Sequence, residues 1–227
     1  DGAAVHRDLV RAWDADTDEL VTLLARNAQP VAAGAAARRL AVAIAADLVG
    51  AAAVMSLHLG LNPALAAAAA TGLFWLKVGF VAVLLAISTV AARRLGTPGA
   101  RTGGALIALA APLLALWLIA AVILLQAPPS ERTPLALGTT WRVCALNIAM
   151  LSTPAFVASL WAMKGLAPTQ LRLAGAGAGL LAAATGTLVY TMHCPEMAPP
   201  FIAIWYVLGM LIPTAAGALL GPRVLRW

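Results

Sequence analysis

The chain has 227 residues, of which 62% are hydrophobic and only 11% are charged, with a formal net charge of +6. A soluble globular domain carries roughly 25% charged residues, so this composition excludes one and favours an integral membrane protein. The positive charge need not indicate nucleic acid, because basic residues collect in the cytoplasmic loops of membrane proteins. The sequence contains no phosphate-binding glycine loop and no nucleophile with an adjacent base, which argues against an enzyme.

Residues 1–37 form the one sizeable polar region and hold six of the nine acidic residues. Within this segment Asp16 and Glu19 have the spacing of a capping box, which satisfies free amides at the start of a helix. We expect a short amphipathic helix over residues 16–28 that buries its apolar face against a partner. The apolar face consists of Leu20, Leu23 and Leu24. Residues 1–15 are assigned no role.

Six apolar runs follow, and each is close to the roughly 20 residues that a membrane-spanning helix needs. Because lipid offers the backbone no hydrogen-bond partner, these runs must be helices. The predicted architecture is therefore all-α, with a six-helix transmembrane domain over residues 38–227. The predicted helices cover residues 40–60, 73–92, 105–125, 143–163, 173–192 and 201–220. Two GxxxG pairs predict close packing of the last two helices, namely Gly175 with Gly179 and Gly217 with Gly221.

The distribution of Lys and Arg predicts how these helices cross the membrane. If the N-terminus is cytoplasmic, twelve of the fifteen basic side chains lie on that side. The opposite side then holds only Arg132 and Arg142, and Lys77 lies within a helix. We therefore expect both termini in the cytoplasm.

This orientation gathers both cysteines on the outer face. Cys144 begins the fourth helix, and Cys194 lies in the short loop before the sixth, within the run Met192-His193-Cys194-Pro195-Glu196. Two thiolates with imidazole and carboxylate groups could bind zinc or, with methionine, cuprous copper. The candidate ligands are Cys144, Cys194, His193, Glu196 and His58. Two alternatives stay open: a disulfide, if the Cα atoms come within about 7 Å, or two inert cysteines that pack as small apolar residues.

Asp47 and Lys77 are the two charges placed well inside predicted helices. Such residues are costly in lipid and are usually paired or functional. Contact between them would require the lysine stem to reach inward, and this stem could instead extend outward to the membrane surface. We favour a structural pair or an outward-reaching lysine over a proton relay.

Several short segments occur along the chain in an order that is typical of one family. They include Asp18-Glu19-Leu20-Val21, Arg38-Arg39-Leu40, Phe74-Trp75-Leu76-Lys77, Trp141-Arg142-Val143-Cys144, His193-Cys194-Pro195-Glu196 and Leu225-Arg226-Trp227. On these segments the chain, from about Thr17 to Trp227, resembles the NrsF family, the negative regulators of sigma F.

The resemblance implies an inner-membrane anti-sigma factor whose cytoplasmic N-terminal segment holds an extracytoplasmic-function sigma factor inactive. The implied sigma-binding candidates are Glu19, Leu20, Leu23 and Leu24. Cys144 and Cys194 would sense a metal or oxidative signal, which would weaken the binding of the sigma factor. The implied partners are the sigma factor and membrane lipid, without direct contact with nucleic acid.

Two other functions compete with this prediction. A small metal or solute transporter could use the outer Cys and His ligands as an entry site, but it would need a continuous polar path through the helices. The helices supply only Asp47, Lys77, Asn147 and a few Ser and Thr for such a path. A quinone-linked thiol oxidase is disfavoured because the two cysteines are not spaced as CxxC.

Overall fold

The structure is a computed structural model that describes residues 17–22, 34–97, 99 and 103–226. The chain divides into two compact units, Asp1–Ala35 and Ala36–Trp227. Each unit is described separately below.

In the first unit, residues 17–22 are helical. The Thr22 hydroxyl donates a hydrogen bond to the Asp18 carbonyl oxygen at 2.8 Å, as hydroxyl side chains do within helices. Leu20 and Val21 are 56% and 57% exposed. This helix falls within the predicted span of residues 16–28, of which Leu23, Leu24 and the rest of the C-terminal part lie outside the described residues.

The second unit is helical, as the continuous apolar runs require. In chain order its helices are α1 (Ala35–His58), α2 (Leu65–Ala69), α3 (Gly72–Leu95), α4 (Gly103–Gln126), α5 (Pro129–Leu137), α6 (Trp141–Lys164), α7 (Leu171–Tyr190) and α8 (Pro199–Val224). Within the described residues, six helical stretches are long and apolar enough to cross a membrane. They are α1, α3, α4, α6 with the preceding α5, α7 and α8. The predicted all-α architecture with six spanning helices is confirmed.

The differences from the prediction are local. The first helix begins at Ala35, before the predicted residue 40, because the small residues that precede the arginine pair also adopt helical geometry. The short helices α2 and α5 were not predicted, and neither was a π-helical segment, Ile202–Tyr206, within α8. This segment follows Pro199 and Pro200, which lack amide donors and start the helix.

Helix α3 shows how the sequence selects its buried face. The Thr71 hydroxyl caps the helix by accepting a hydrogen bond from the Phe74 amide at 3.4 Å. From there the buried side chains recur every three or four residues, which places them on one face. That face consists of Phe74, Lys77, Val81, Leu84, Ser88, Ala91 and Ala92.

Helix α7 is buried over most of its length and packs closely against α8. A Cβ atom built on Gly175 would overlap the carbonyl oxygen of Gly217, and one on Gly179 would overlap that of Pro213. The two predicted GxxxG pairs therefore face each other, and the absence of side chains lets the two backbones touch.

The bundle has two ends, which are named here by their side chains. The cysteine end comprises the loop of residues 191–198 and the beginnings of α3, α6 and α8. The arginine end comprises the beginnings of α1 and α7 and the ends of α3, α6 and α8. Described basic residues at the arginine end are Arg38, Arg39, Arg93, Arg94, Lys164, Arg172, Arg223 and Arg226.

Candidate functional site

The structure brings Cys144 and Cys194 together in a buried cluster at the cysteine end. Both side chains are fully buried, and both are free thiols rather than a disulfide. The two thiols lie close enough to interact with each other. Tyr190 lies beside Cys144, Tyr206 lies beside Cys194, and the two tyrosine rings are 5.8 Å apart. The two cysteines and two tyrosines of the chain therefore meet in one place.

The surroundings of Cys194 favour its thiolate. Hydrogen bonding from Cys144 is the largest influence and lowers the pKa of Cys194 to about 6, while burial acts in the opposite direction. Tyr206, the backbone at Glu196 and the positive charge of Lys77 lower the pKa of Cys194 further. These influences favour the thiolate of Cys194, the form that reacts with oxidants and binds soft metal ions.

Tyr206 occupies an unusual position in this cluster. It ends the π-helical segment of α8, and such segments are frequent at functional sites. Its ring is fully buried, and its hydroxyl oxygen has no hydrogen-bond partner of good geometry within the described part of the chain. Because this hydroxyl lies beside the Cys194 sulfur, it is available to stabilise negative charge there.

Lys77 holds the loop that carries Cys194. Its side chain is 1% exposed, and its ammonium group donates hydrogen bonds to the carbonyl oxygens of Cys194 at 2.8 Å and Glu196 at 3.2 Å. The ammonium group also lies 5.7 Å from the centroid of the Phe74 ring. Lys77 thus satisfies two carbonyl groups of the loop and brings a positive charge close to the thiols.

The predicted pair of Asp47 with Lys77 is not formed. Asp47 instead accepts a hydrogen bond from the Ser159 hydroxyl at 3.1 Å. Its other carboxyl oxygen has no partner among the described residues. The two residues lie at different depths, because Lys77 is near the cysteine end and its ammonium group binds the carbonyl oxygens of Cys194 and Glu196. Since Lys77 is 1% exposed, it does not extend to the membrane surface, which was the other alternative.

Glu196 connects the same loop to the beginning of α6. One of its carboxylate oxygens accepts hydrogen bonds from the Thr139 amide and hydroxyl, both at 2.7 Å, and from the Thr140 amide at 3.2 Å. Gly138 has a φ of +58°, and a Cβ there would come within 2.7 Å of the Glu196 carboxyl group. A carboxylate at a helix N-terminus is stabilised by the free amides and the helix dipole. Cys144 follows within the first turn of α6.

The two histidine candidates have different surroundings. His193 Nδ1 donates a hydrogen bond to the Gly60 carbonyl oxygen at 3.0 Å, and His58 is exposed on the last turn of α1. In the part of the chain that the structure describes, no group of three or more His, Cys, Asp or Glu side chains could hold a metal ion. In this arrangement His193 and Glu196 bind neighbouring loops, and the proposed metal ligation by the five candidates stays a prediction.

Sequence reasoning missed several residues of this site, namely Thr139, Thr140, Tyr190 and Tyr206. The tyrosines carried a usable signal, since each ends or interrupts an apolar run at the depth of the cysteines. The threonines carried none, because their role depends on the path of the loop before α6.

Comparisons with known proteins cover nearly the whole chain. The family described as negative regulator of sigma F matches residues 24–227. A probable anti-sigma-F factor NrsF of Azospira oryzae is 50% identical over 211 residues, which is 93% of this chain and 99% of the relative. The anti-sigma-F factor NrsF of Caulobacter vibrioides is 34% identical over 227 aligned positions, with 93% of this chain and 99% of the relative covered. No solved structure matches the chain.

Proposed function

This chain belongs to the NrsF family of negative regulators of sigma F, and we propose that it is a multi-pass anti-sigma factor of the bacterial inner membrane. The main observation in support of the proposal is the extent of the alignments, since both relatives named as anti-sigma-F factors align with 93% of the chain. The six apolar helices support a membrane location. We expect the partner to be an extracytoplasmic-function sigma factor.

The N-terminal segment is the proposed sigma-binding element. Its described helix, residues 17–22, exposes Leu20 and Val21 by more than half. Exposed apolar side chains on an amphipathic helix are the usual anchors for a partner protein. Glu19 lies on the same helix, and the remaining candidates Leu23 and Leu24 extend the predicted apolar face.

Cys144 and Cys194 are the proposed sensor, and the cysteine end is proposed to face the periplasm. The Lys and Arg distribution supports this orientation, because twelve of the fifteen basic residues then lie in the cytoplasm. Two adjacent thiols with a low pKa at Cys194 suit a soft metal ion or an oxidant as the signal.

A third or fourth metal ligand would have to come from a rearrangement. Glu196 could reach a metal ion only by leaving Thr139, and His193 only by leaving Gly60. Zinc or copper binding would therefore alter the contacts that position the beginning of α6. This provides a physical link between a metal signal and helix movement.

One experiment with two arms tests the proposal. In the binding arm, the full chain is extracted in detergent, and the co-purifying sigma factor is quantified. Replacing Leu20 and Leu24 together by Asp should abolish co-purification, because two charges would enter the apolar interface. Thr22→Asp adds a charge on the opposite face of the same helix and should leave binding intact. Retention of sigma by the double leucine variant would place the interface elsewhere.

The sensing arm measures sigma-dependent transcription with and without cadmium, a thiol-binding metal. Cys144→Ser, Cys194→Ser and the double variant should each lose the response, because one thiol can neither bridge nor chelate alone. A normal response from the double variant would reduce both cysteines to packing residues.

A further inference from the structure

Arg39, in the first turns of α1, binds the end of α6. Its Nε donates a hydrogen bond to the Ala162 carbonyl oxygen, and its Nη2 donates one to the Trp161 carbonyl oxygen, both at 3.1 Å. The guanidinium group also lies over the Trp161 indole, with Cζ 4.1 Å from the ring centroid. A planar guanidinium can make both hydrogen bonds while stacking on a ring, which a lysine ammonium cannot do.

The end of α6 is suited to receive this side chain. The last carbonyl groups of a helix lack partners within the helix and carry partial negative charge. Gly165, which follows the helix, has ordinary helical dihedral angles that any residue adopts. A Cβ atom at Gly165 would nevertheless overlap the Arg39 guanidinium. Glycine at this position therefore provides the space that Arg39 occupies.

Helix α6 joins this place to the cysteine pair. It carries Cys144 in its first turn and the Arg39 partners in its last, and a helix of 24 residues transmits displacement along its axis. Between these points, the Ser159 hydroxyl of α6 donates to the Asp47 carboxylate of α1 at 3.1 Å. The same two helices are thus joined by polar contacts at two levels.

We infer that the Arg39 contact, formed by Arg39 with Trp161, Ala162 and Gly165, transmits the state of the cysteine pair to the N-terminal segment. This inference rests on the proposed function. When the thiols are free, the hydrogen bonds of Arg39 are formed and fix the beginning of α1 to the end of α6. In this state the segment that precedes α1 retains the sigma factor. A signal that displaces α6 moves the two carbonyl groups away from Arg39, and the segment then releases the sigma factor.

The test combines co-purification with the sigma-dependent reporter in cells that express the full chain. Arg39→Gln should release the sigma factor without any signal and raise transcription about tenfold, within the usual range of coupling between sites. It should do so equally when Cys144 and Cys194 are both Ser, because Arg39 acts after the cysteines. Arg38→Gln makes the same change at the exposed neighbouring arginine and should behave as the unmodified chain.

A second pair of variants separates this effect from misfolding. Gly165→Ala should displace the guanidinium while leaving the backbone angles allowed, and it should release the sigma factor as Arg39→Gln does. Gly103→Ala is its control, since a Cβ at Gly103 meets nothing within 4 Å. Variants are compared at equal abundance in the membrane. Retention of sigma by Arg39→Gln and Gly165→Ala would overturn the inference alone, whereas failure of the unmodified chain to bind sigma would overturn the proposed function.

Discussion

The cysteine end and the arginine end of the bundle differ in the side-chain hydrogen bonds that join their elements. At the cysteine end, Lys77, Thr139 and Gly60 each bind the loop of residues 191–198 from a separate part of the chain. At the arginine end, the side-chain hydrogen bonds that join helices within the described residues come from Arg39.

This difference is consistent with the proposed regulator, in which a signal at the cysteine end changes the contacts at the arginine end. A change in bonding at the proposed sensor would act on the elements that hold the loop, which include the beginnings of α3 and α6. At the opposite end Arg39 supplies the hydrogen bonds beside a buried apolar cluster, and losing them is a change of the size that separates two functional states, a few kcal/mol.

Removing the Lys77 ammonium group should have the largest effect on the stability of the cysteine end, because this buried charged group donates hydrogen bonds to two carbonyl groups of the loop. Lys77→Met leaves the carbonyl groups of Cys194 and Glu196 without their donor. Hydrogen bonds to a charged group contribute roughly 1.5–3 kcal/mol each. We expect the free energy of unfolding in detergent to fall by about 3 kcal/mol, measured by denaturant titration.

The matched control is the other lysine of the chain. Lys164 is exposed at the end of α6, so Lys164→Met should change the free energy of unfolding by less than about 0.5 kcal/mol. Equal losses in the two variants would mean that the cysteine end is no more firmly held than the arginine end.

The pH dependence of thiol labelling tests the charge environment and the orientation together. In Cys144→Ser, whose hydroxyl can still donate to Cys194, an impermeant thiol reagent is applied to intact cells. Because the surroundings of Cys194 lower its pKa, the labelling rate, measured as the buried site opens to the reagent, should level off at a lower pH than that of an ordinary thiol. An ordinary thiol with a pKa of about 8.5 would continue to gain through pH 8.

Lys77→Met should move the midpoint of this profile to higher pH, because the nearby positive charge is removed. A rate that keeps rising through pH 8 in the lysine-containing protein would contradict the thiolate assignment. Labelling confined to inverted vesicles would place the cysteine end on the cytoplasmic side.

Neutralising Glu196 should have the smallest effect. Glu196→Gln keeps an acceptor for Thr139 but loses the charge at the beginning of α6, and such a charge contributes about 1 kcal/mol or less. Glu131→Gln makes the same change in the first turn of α5, where the side chain is exposed. Thermal unfolding should rank Glu196→Gln below Glu131→Gln in stability, and the reverse order would argue that the Thr139 contact is incidental.

The spanning helices were predictable because lipid imposes a length and an apolar composition that the sequence displays directly. The short helices α2 and α5 were not, since segments of 5 and 9 residues produce no such signal. The π-helical segment was not predicted because the hydropathy of a run is the same whether its turns are α-helical or π-helical.

For the site, the level of each residue along its helix was predictable, whereas the direction in which its side chain points was not. Counting along the helices placed Cys144 and Cys194 at one level, and the structure brings them together. Lys77 was identified as a buried charge, but its partners are backbone carbonyl groups, which have no signature in the sequence. His193 and Glu196 were selected by residue type as metal ligands, yet the fold of the loops determines that they bind Gly60 and Thr139.

In the π-helical segment Ile202–Tyr206, α8 holds one residue more per turn than an α-helix does. Each residue of an α-helix advances the chain by roughly 100° around the axis, given 3.6 residues per turn. Deleting one residue from this segment would leave a regular α-helical turn, whereas deleting one between it and Gly217 would rotate the start of α8, with Phe201, by about that angle relative to the α7 contact. A deletion should therefore be accepted more readily inside the π-helical segment than in the part of α8 that follows it.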